Sequence, residues 1–97
     1  METVSSNFLK QIVGDLTLAK LIEAIREGEE WTKRDMAKKL GVLPSYYSDF
    51  LKGNKVPSIK RASDWADTLQ YSKNHFVELA INDKLMSLGF DFKVRAS

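Results

Sequence analysis

Leu18, Leu21, Ile22 and Ile25 recur at spacings of three and four, which draws one apolar stripe down an α-helix. Asp15 or Thr17 can cap that helix, and Gly28 is placed to end it. Upstream, Ser6 can cap a short turn with Phe8, Leu9 and Ile12 apolar, closed by Gly14. A further helix begins at Thr32, with Asp35 three residues on as a weaker capping-box partner. It turns Met36, Ala37 and Leu40 inward and stops at Gly41. Pro44 suits the first position of the next helix, which runs through Tyr47, Phe50 and Leu51 to Gly53. Ser58 caps another, with Ile59, Ala62, Ala66 and Leu69 inward. Ser72 caps the last, with Phe76, Leu79, Ala80 and Leu85 apolar, ending near Gly89. The joints are short, so neighbouring helices must cross steeply. The pattern predicts a compact all-α bundle of five to six helices.

The stretch Phe90-Asp91-Phe92-Lys93-Val94-Arg95 breaks that rhythm, because apolar and charged residues alternate. This is the period of a short C-terminal β-strand with one dry face, and a lone strand needs a partner edge. Two readings stay open. Either the strand pairs with its twin in a second copy, or it is an extended tail whose phenylalanines tuck onto the bundle.

At 97 residues the chain has room for one core, so residues 1–97 are read as one domain. With no cysteine, disulfides, thiolate zinc sites and a cysteine nucleophile are excluded. The opening Met1-Glu2-Thr3-Val4 lacks a basic, then apolar, leader pattern, and no apolar run approaches membrane-spanning length. A soluble, cytoplasmic protein is expected. His75 is the single histidine, and the five glycines are isolated, so no triad, metal set or phosphate-cradling loop emerges. Neither an enzyme nor a cofactor or metal site is expected.

The net charge of +2 hides an asymmetry. Between Lys33 and Arg61 stand eight bases and two acids, whereas the remainder holds seven bases and eleven acids. A basic middle is suited to a polyanion, since clustered Lys and Arg displace counterions from phosphates. A solvated helix face would give the same count.

The basic middle coincides with a motif. Thr32 to Ser58 reads as a helix, a tight turn begun by Gly41, and a second short helix, which is a helix-turn-helix. Ala37 is small enough for a close crossing, Val42 can plug the corner, and Tyr47 and Phe50 anchor the second helix. Its other face, Pro44, Ser45, Tyr46, Ser48, Asp49 and Lys52, is left to meet a groove.

Ala37, Leu40-Gly41-Val42 and Gly53-Asn54-Lys55-Val56-Pro57-Ser58 together resemble the phage-repressor, Cro-type (XRE-like) helix-turn-helix family of small transcription regulators. The likeness covers residues 16–72, with the motif at 32–52; residues 73–97 form a helix and tail beyond it that could serve dimerisation. The resemblance implies a lambda-repressor-like fold and a regulator, a repressor of phage or bacterial origin, that reads double-stranded DNA in the major groove. It also implies a homodimer on a palindromic operator. Base readout then falls to Pro44, Ser45, Tyr46, Ser48 and Asp49, and phosphate contact to Lys33, Lys52, Asn54, Lys55, Lys60 and Arg61. Val77, Ile81, Leu85, Phe90, Phe92 and Val94 are the candidate dimer residues. Three departures bear on the target: Lys33 where an amide is frequent, Leu43 where a hydroxyl cap is common, and Asp49 where a base is frequent. An alternative reading is an antitoxin that binds a toxin and represses its own operon.

Overall fold

Four hydroxyls set where helices begin. The computed structural model describes residues 16–90, and within them the elements are α1 (Leu18–Gly28), α2 (Lys33–Leu40), α3 (Pro44–Leu51), α4 (Ile59–Leu69) and α5 (Lys73–Ser87). Thr17, Thr32, Ser58 and Ser72 each accept a hydrogen bond from a backbone N–H in the first turn of the helix that follows. At Thr32 the box is reciprocal. Its hydroxyl accepts from the Asp35 N–H at 3.0 Å while Asp35 Oδ2 accepts from the Thr32 N–H at 3.0 Å. The Thr32 backbone donor, followed by its hydroxyl, holds the Asp35 carboxyl below its ordinary pKa. Pro44 opens α3 without a side-chain cap at Leu43.

All five helices end in the same way. The N–H groups of Trp31, Val42, Asn54, Tyr71 and Phe90 fold back and donate to the carbonyls of Arg26, Ala37, Asp49, Ala66 and Leu85 at 2.8–3.0 Å. Each closure is a Schellman motif, which needs one left-handed residue just before the donor. Gly41, Gly53 and Gly89 take that role, and so do Glu30 (φ 60°) and Gln70 (φ 61°). Gly28 therefore does not end α1 by its conformation. It lies in the last turn, and Glu30 makes the reversal.

The core is one cluster drawn from every helix: Leu18, Ile22 and Ile25; Met36, Ala37 and Leu40; Tyr47 and Phe50; Ala62, Trp65 and Ala66; Phe76, Leu79 and Ala80. Leu21, Leu51 and Leu69 pack at its margin. Helix α5 lies against α4 and reaches α1, α1 touches α3, and α2 touches both α3 and α4. Asp83 of α5 accepts from the Leu18 N–H at 3.2 Å, which supplies an acid to the unpaired donors at the start of α1. Trp65 is sealed, 3% exposed, packs edge-on to Phe50 at 5.3 Å and donates its indole N–H to the Leu40 carbonyl at 3.1 Å.

Ile59 is expected inward but is 51% exposed. It is the first residue of α4, and helical side chains lean toward the N-terminus, so Ile59 projects past the edge of the core. Leu85 is only half-buried. Thr17, not Asp15, caps α1. The Ser6–Gly14 turn and residues 91–95 of the expected strand lie outside the described residues. Among the described residues there is no strand, and no helix is long and apolar enough to cross a membrane.

Candidate nucleic-acid interface

The α2–α3 corner positions everything else. Ala37 is fully buried, which allows α3 to cross close above α2, and Gly41 at φ 75° turns the chain between them. Val42 then docks half-buried at the corner.

Beneath α3 lies a polar network. The Tyr47 hydroxyl donates to Glu23 Oε2 at 2.6 Å. Arg26 grips the same carboxylate with two bonds, Nε to Oε2 at 2.8 Å and a terminal nitrogen to Oε1 at 3.0 Å. Its other terminal nitrogen donates to the Trp31 carbonyl at 2.7 Å. The bonds from Arg26 push the Glu23 carboxyl below its ordinary pKa, and the bond from Tyr47 adds to this against the opposing effect of burial. Burial, then the bond to Glu23, pushes the Tyr47 phenol well above its ordinary pKa, so it remains a donor. Sequence reasoning gave Tyr47 only an inward ring and missed Glu23 and Arg26. Two signals were available: opposite charges at i, i+3, and a buried tyrosine, whose hydroxyl requires a partner.

The outward side of α3 sorts the proposed base readers. Pro44, Ser45 and Ser48 are exposed, whereas Tyr46 and Asp49 are half-buried. Tyr46 packs against the core, and the Arg61 guanidinium lies over its ring at 5.1 Å from the centroid. Leu43, uncapped, is 71% exposed at the head of the helix.

The cations divide as well. Lys33, Pro44, Tyr47, Ser48, Leu51 and Lys52 line one hollow of about 170 Å³, which brings Lys33 and Lys52 together beside Pro44 and Ser48. Asn54 and Lys55 are exposed on the loop that follows, and the Asn54 N–H bonds the Asp49 carbonyl at 2.8 Å, fixing where that loop starts. Lys60 instead grips both oxygens of Asp64 at 3.0 Å, one turn along α4. Arg61 is engaged with Tyr46. Lys39 stacks on Trp31 at 4.4 Å, while Arg34 and Lys38 are exposed on α2. The structure thus brings Lys33 and Lys52 together beside Pro44 and Ser48, with Asn54 and Lys55 exposed on the loop after α3. It gives Lys60 and Arg61 other partners.

Of the dimer candidates, Val77, Ile81 and Leu85 are half-buried on α5 and Phe90 is 49% exposed, while Phe92 and Val94 lie outside the described residues.

A family model described as helix-turn-helix matches residues 22–76. No curated protein and no solved structure matches the chain. The matched span takes in more than half of the 97 residues, the α2–α3 corner and the cations around it. The chain belongs to the XRE/lambda-repressor-type helix-turn-helix family of DNA-binding regulators.

Proposed function

We propose that this protein is a transcriptional repressor, of phage or bacterial origin, that seats α3 in the major groove of a palindromic operator. The observation that carries the reading is the exposure of Pro44, Ser45 and Ser48 on α3, with Lys33 and Lys52 lining the same hollow as Pro44 and Ser48 and with Lys55 exposed on the loop that follows. Ser45 and Ser48 can donate to or accept from base edges, and Pro44 offers an apolar contact for a thymine methyl. Asp49 can accept from a cytosine amino group, and the Tyr46 ring reads with Arg61 stacked upon it. Lys33, Lys52, Asn54 and Lys55 hold the flanking phosphates, which sets register without carrying sequence. Lys60 and Arg61 come second to these, because one is paired and the other stacked.

A single short helix reads few base pairs, so two copies acting on one face of the duplex supply the specificity. The half-buried Val77, Ile81 and Leu85, with the exposed Phe90, support a second copy along α5. The site of action is then the cytoplasm, on the nucleoid. Selection from a random duplex pool, followed by gel-shift titration, tests the reading. A symmetric site is expected, with Lys55→Ala weakening all duplexes alike and Ser45→Ala changing base preference. Retention of no duplex at low salt would overturn it and leave the antitoxin reading in its place.

A further inference from the structure

The start of α1, the end of α3 with the loop after it, and the end of α5 leave a groove of about 560 Å³. That size falls within the range of small-molecule sites, about 300–1,000 Å³. Its floor is apolar: Phe50 and Pro57 are buried beneath, and Ala19, Leu51 and Val56 are half-buried along it. Met86 of α5 forms one wall and is 56% exposed.

The polar groups around this floor are unevenly committed. Glu23 already holds Arg26 and Tyr47, and Asp83 accepts from the Leu18 N–H. Lys52 and Lys55 reach the same groove, are exposed, and form no ion pair among the described residues. Lysine stems can lie along apolar surface while their ammonium groups stay at the mouth. An apolar floor with uncommitted cations at its edge is complementary to a molecule with a hydrocarbon body and one acidic head.

We propose that this groove binds a small amphiphilic anion, its body on Ala19, Val56 and Met86 and its head between Lys52 and Lys55. The groove wall from Lys52 to Pro57 is also the loop assigned to phosphate contact, so an occupied groove withdraws two lysines from DNA. This second step rests on the reading under Proposed function; the binding step does not.

The probes are decanoate and decyltrimethylammonium, both kept below micelle formation, followed by amide NMR shifts of the full chain. Decanoate is expected to give saturable shifts at Ala19, Val56 and Met86, and the cation to bind about tenfold more weakly, since it meets lysines instead of an acid. Met86→Glu, at a side chain already more than half exposed, should weaken decanoate by about tenfold with the rest of the spectrum retained. Saturating decanoate should then weaken duplex retention severalfold. Equal binding of both probes, no saturable binding, or indifference to Met86→Glu overturns the site. Shifts at these residues that follow protein concentration without any probe also overturn it, giving the groove to a second copy. If decanoate binds as expected but the protein retains no duplex, the DNA reading fails and the groove stands. If duplex is retained unchanged at saturation, the coupling is wrong.

Discussion

The Tyr47 hydroxyl and the Glu23 carboxylate meet at 2.6 Å, joining the inner side of α3 to α1 across 24 residues of sequence. With Arg26 spanning from that carboxylate to the Trp31 carbonyl, one acid ties α1, the turn after it and α3 together. Such a bond does more than add stability, because it fixes the rotation of α3 about its own axis.

Tyr47→Phe keeps the ring and deletes the donor. Hydrogen bonds to charged groups contribute about 1.5–3 kcal/mol, and since Arg26 still satisfies Glu23, a loss near the lower end, about 1.5 kcal/mol, is expected. Urea unfolding measures it. A double-mutant cycle with Glu23→Gln should show coupling; strictly additive losses would mean that the bond contributes nothing of its own.

Stability should form a plateau in pH bounded by the same pair. The Glu23 carboxyl is depressed on folding, so its contribution is present above the unfolded value of about 4.3 and lost as pH falls through the folded one. The Tyr47 phenol is raised, so its contribution is complete below the unfolded value of about 10 and declines as pH climbs beyond it. Urea midpoints across pH should fall at both ends. Glu23→Gln should flatten the acid limb and Tyr47→Phe the alkaline one.

Gln70 occupies the left-handed position that Gly41 and Gly53 take elsewhere. A side chain there costs about 1–2 kcal/mol relative to glycine. Gln70→Gly should relieve that, less the extra freedom glycine gives the unfolded chain, for a net gain of about 0.5 kcal/mol. The melting temperature reads it out, and a drop would show that the Gln70 side chain makes a contact worth more than the strain.

Lys33 and Lys60 should separate in a salt titration of DNA binding. Loss of one phosphate contact reduces the slope of log affinity against log salt by about 0.9. Lys33→Ala is expected to show that change, whereas Lys60→Ala, already paired with Asp64, should show less. Equal effects would place both lysines on phosphate.

Local chemistry made much of this fold legible in the sequence. Hydroxyl caps, Pro44 at a helix start and Gly41 at the corner act within a few residues, and the apolar stripes of α1, α2 and α3 select their own buried faces. The end of α1 at Gly28 was legible, but its mechanism was not, because Glu30 reverses the chain where no glycine marks the place. Ile59 kept the helical period yet lay one turn beyond the core. In α5 apolar residues surround the helix with almost no preferred side; Phe76, Leu79 and Ala80 were still placed in the core, but Leu85, counted with them, is only half-buried. At the candidate interface, the exposure of Ser45, Ser48, Lys33 and Lys52 followed from the motif, while the hollow that Lys33 and Lys52 share did not. The Lys60–Asp64 pair sits at i, i+4 and was within reach of a spacing rule, whereas the partners of Arg61 and Tyr47 come from elsewhere in the chain, where no such rule reaches.

Trp65 ties α4 to α2 through the Leu40 carbonyl, and Tyr47 bolts α3 to α1. In the proposed mode of binding, a surface braced in this way acts as a die, and it is the double helix that gives way. Steps that kink easily, such as TA, would then be favoured over stiff A-tracts even where no side chain reaches them. Duplexes identical in their outer base pairs and different only at the centre would reveal this. Equal retention of the two would mean that the die yields.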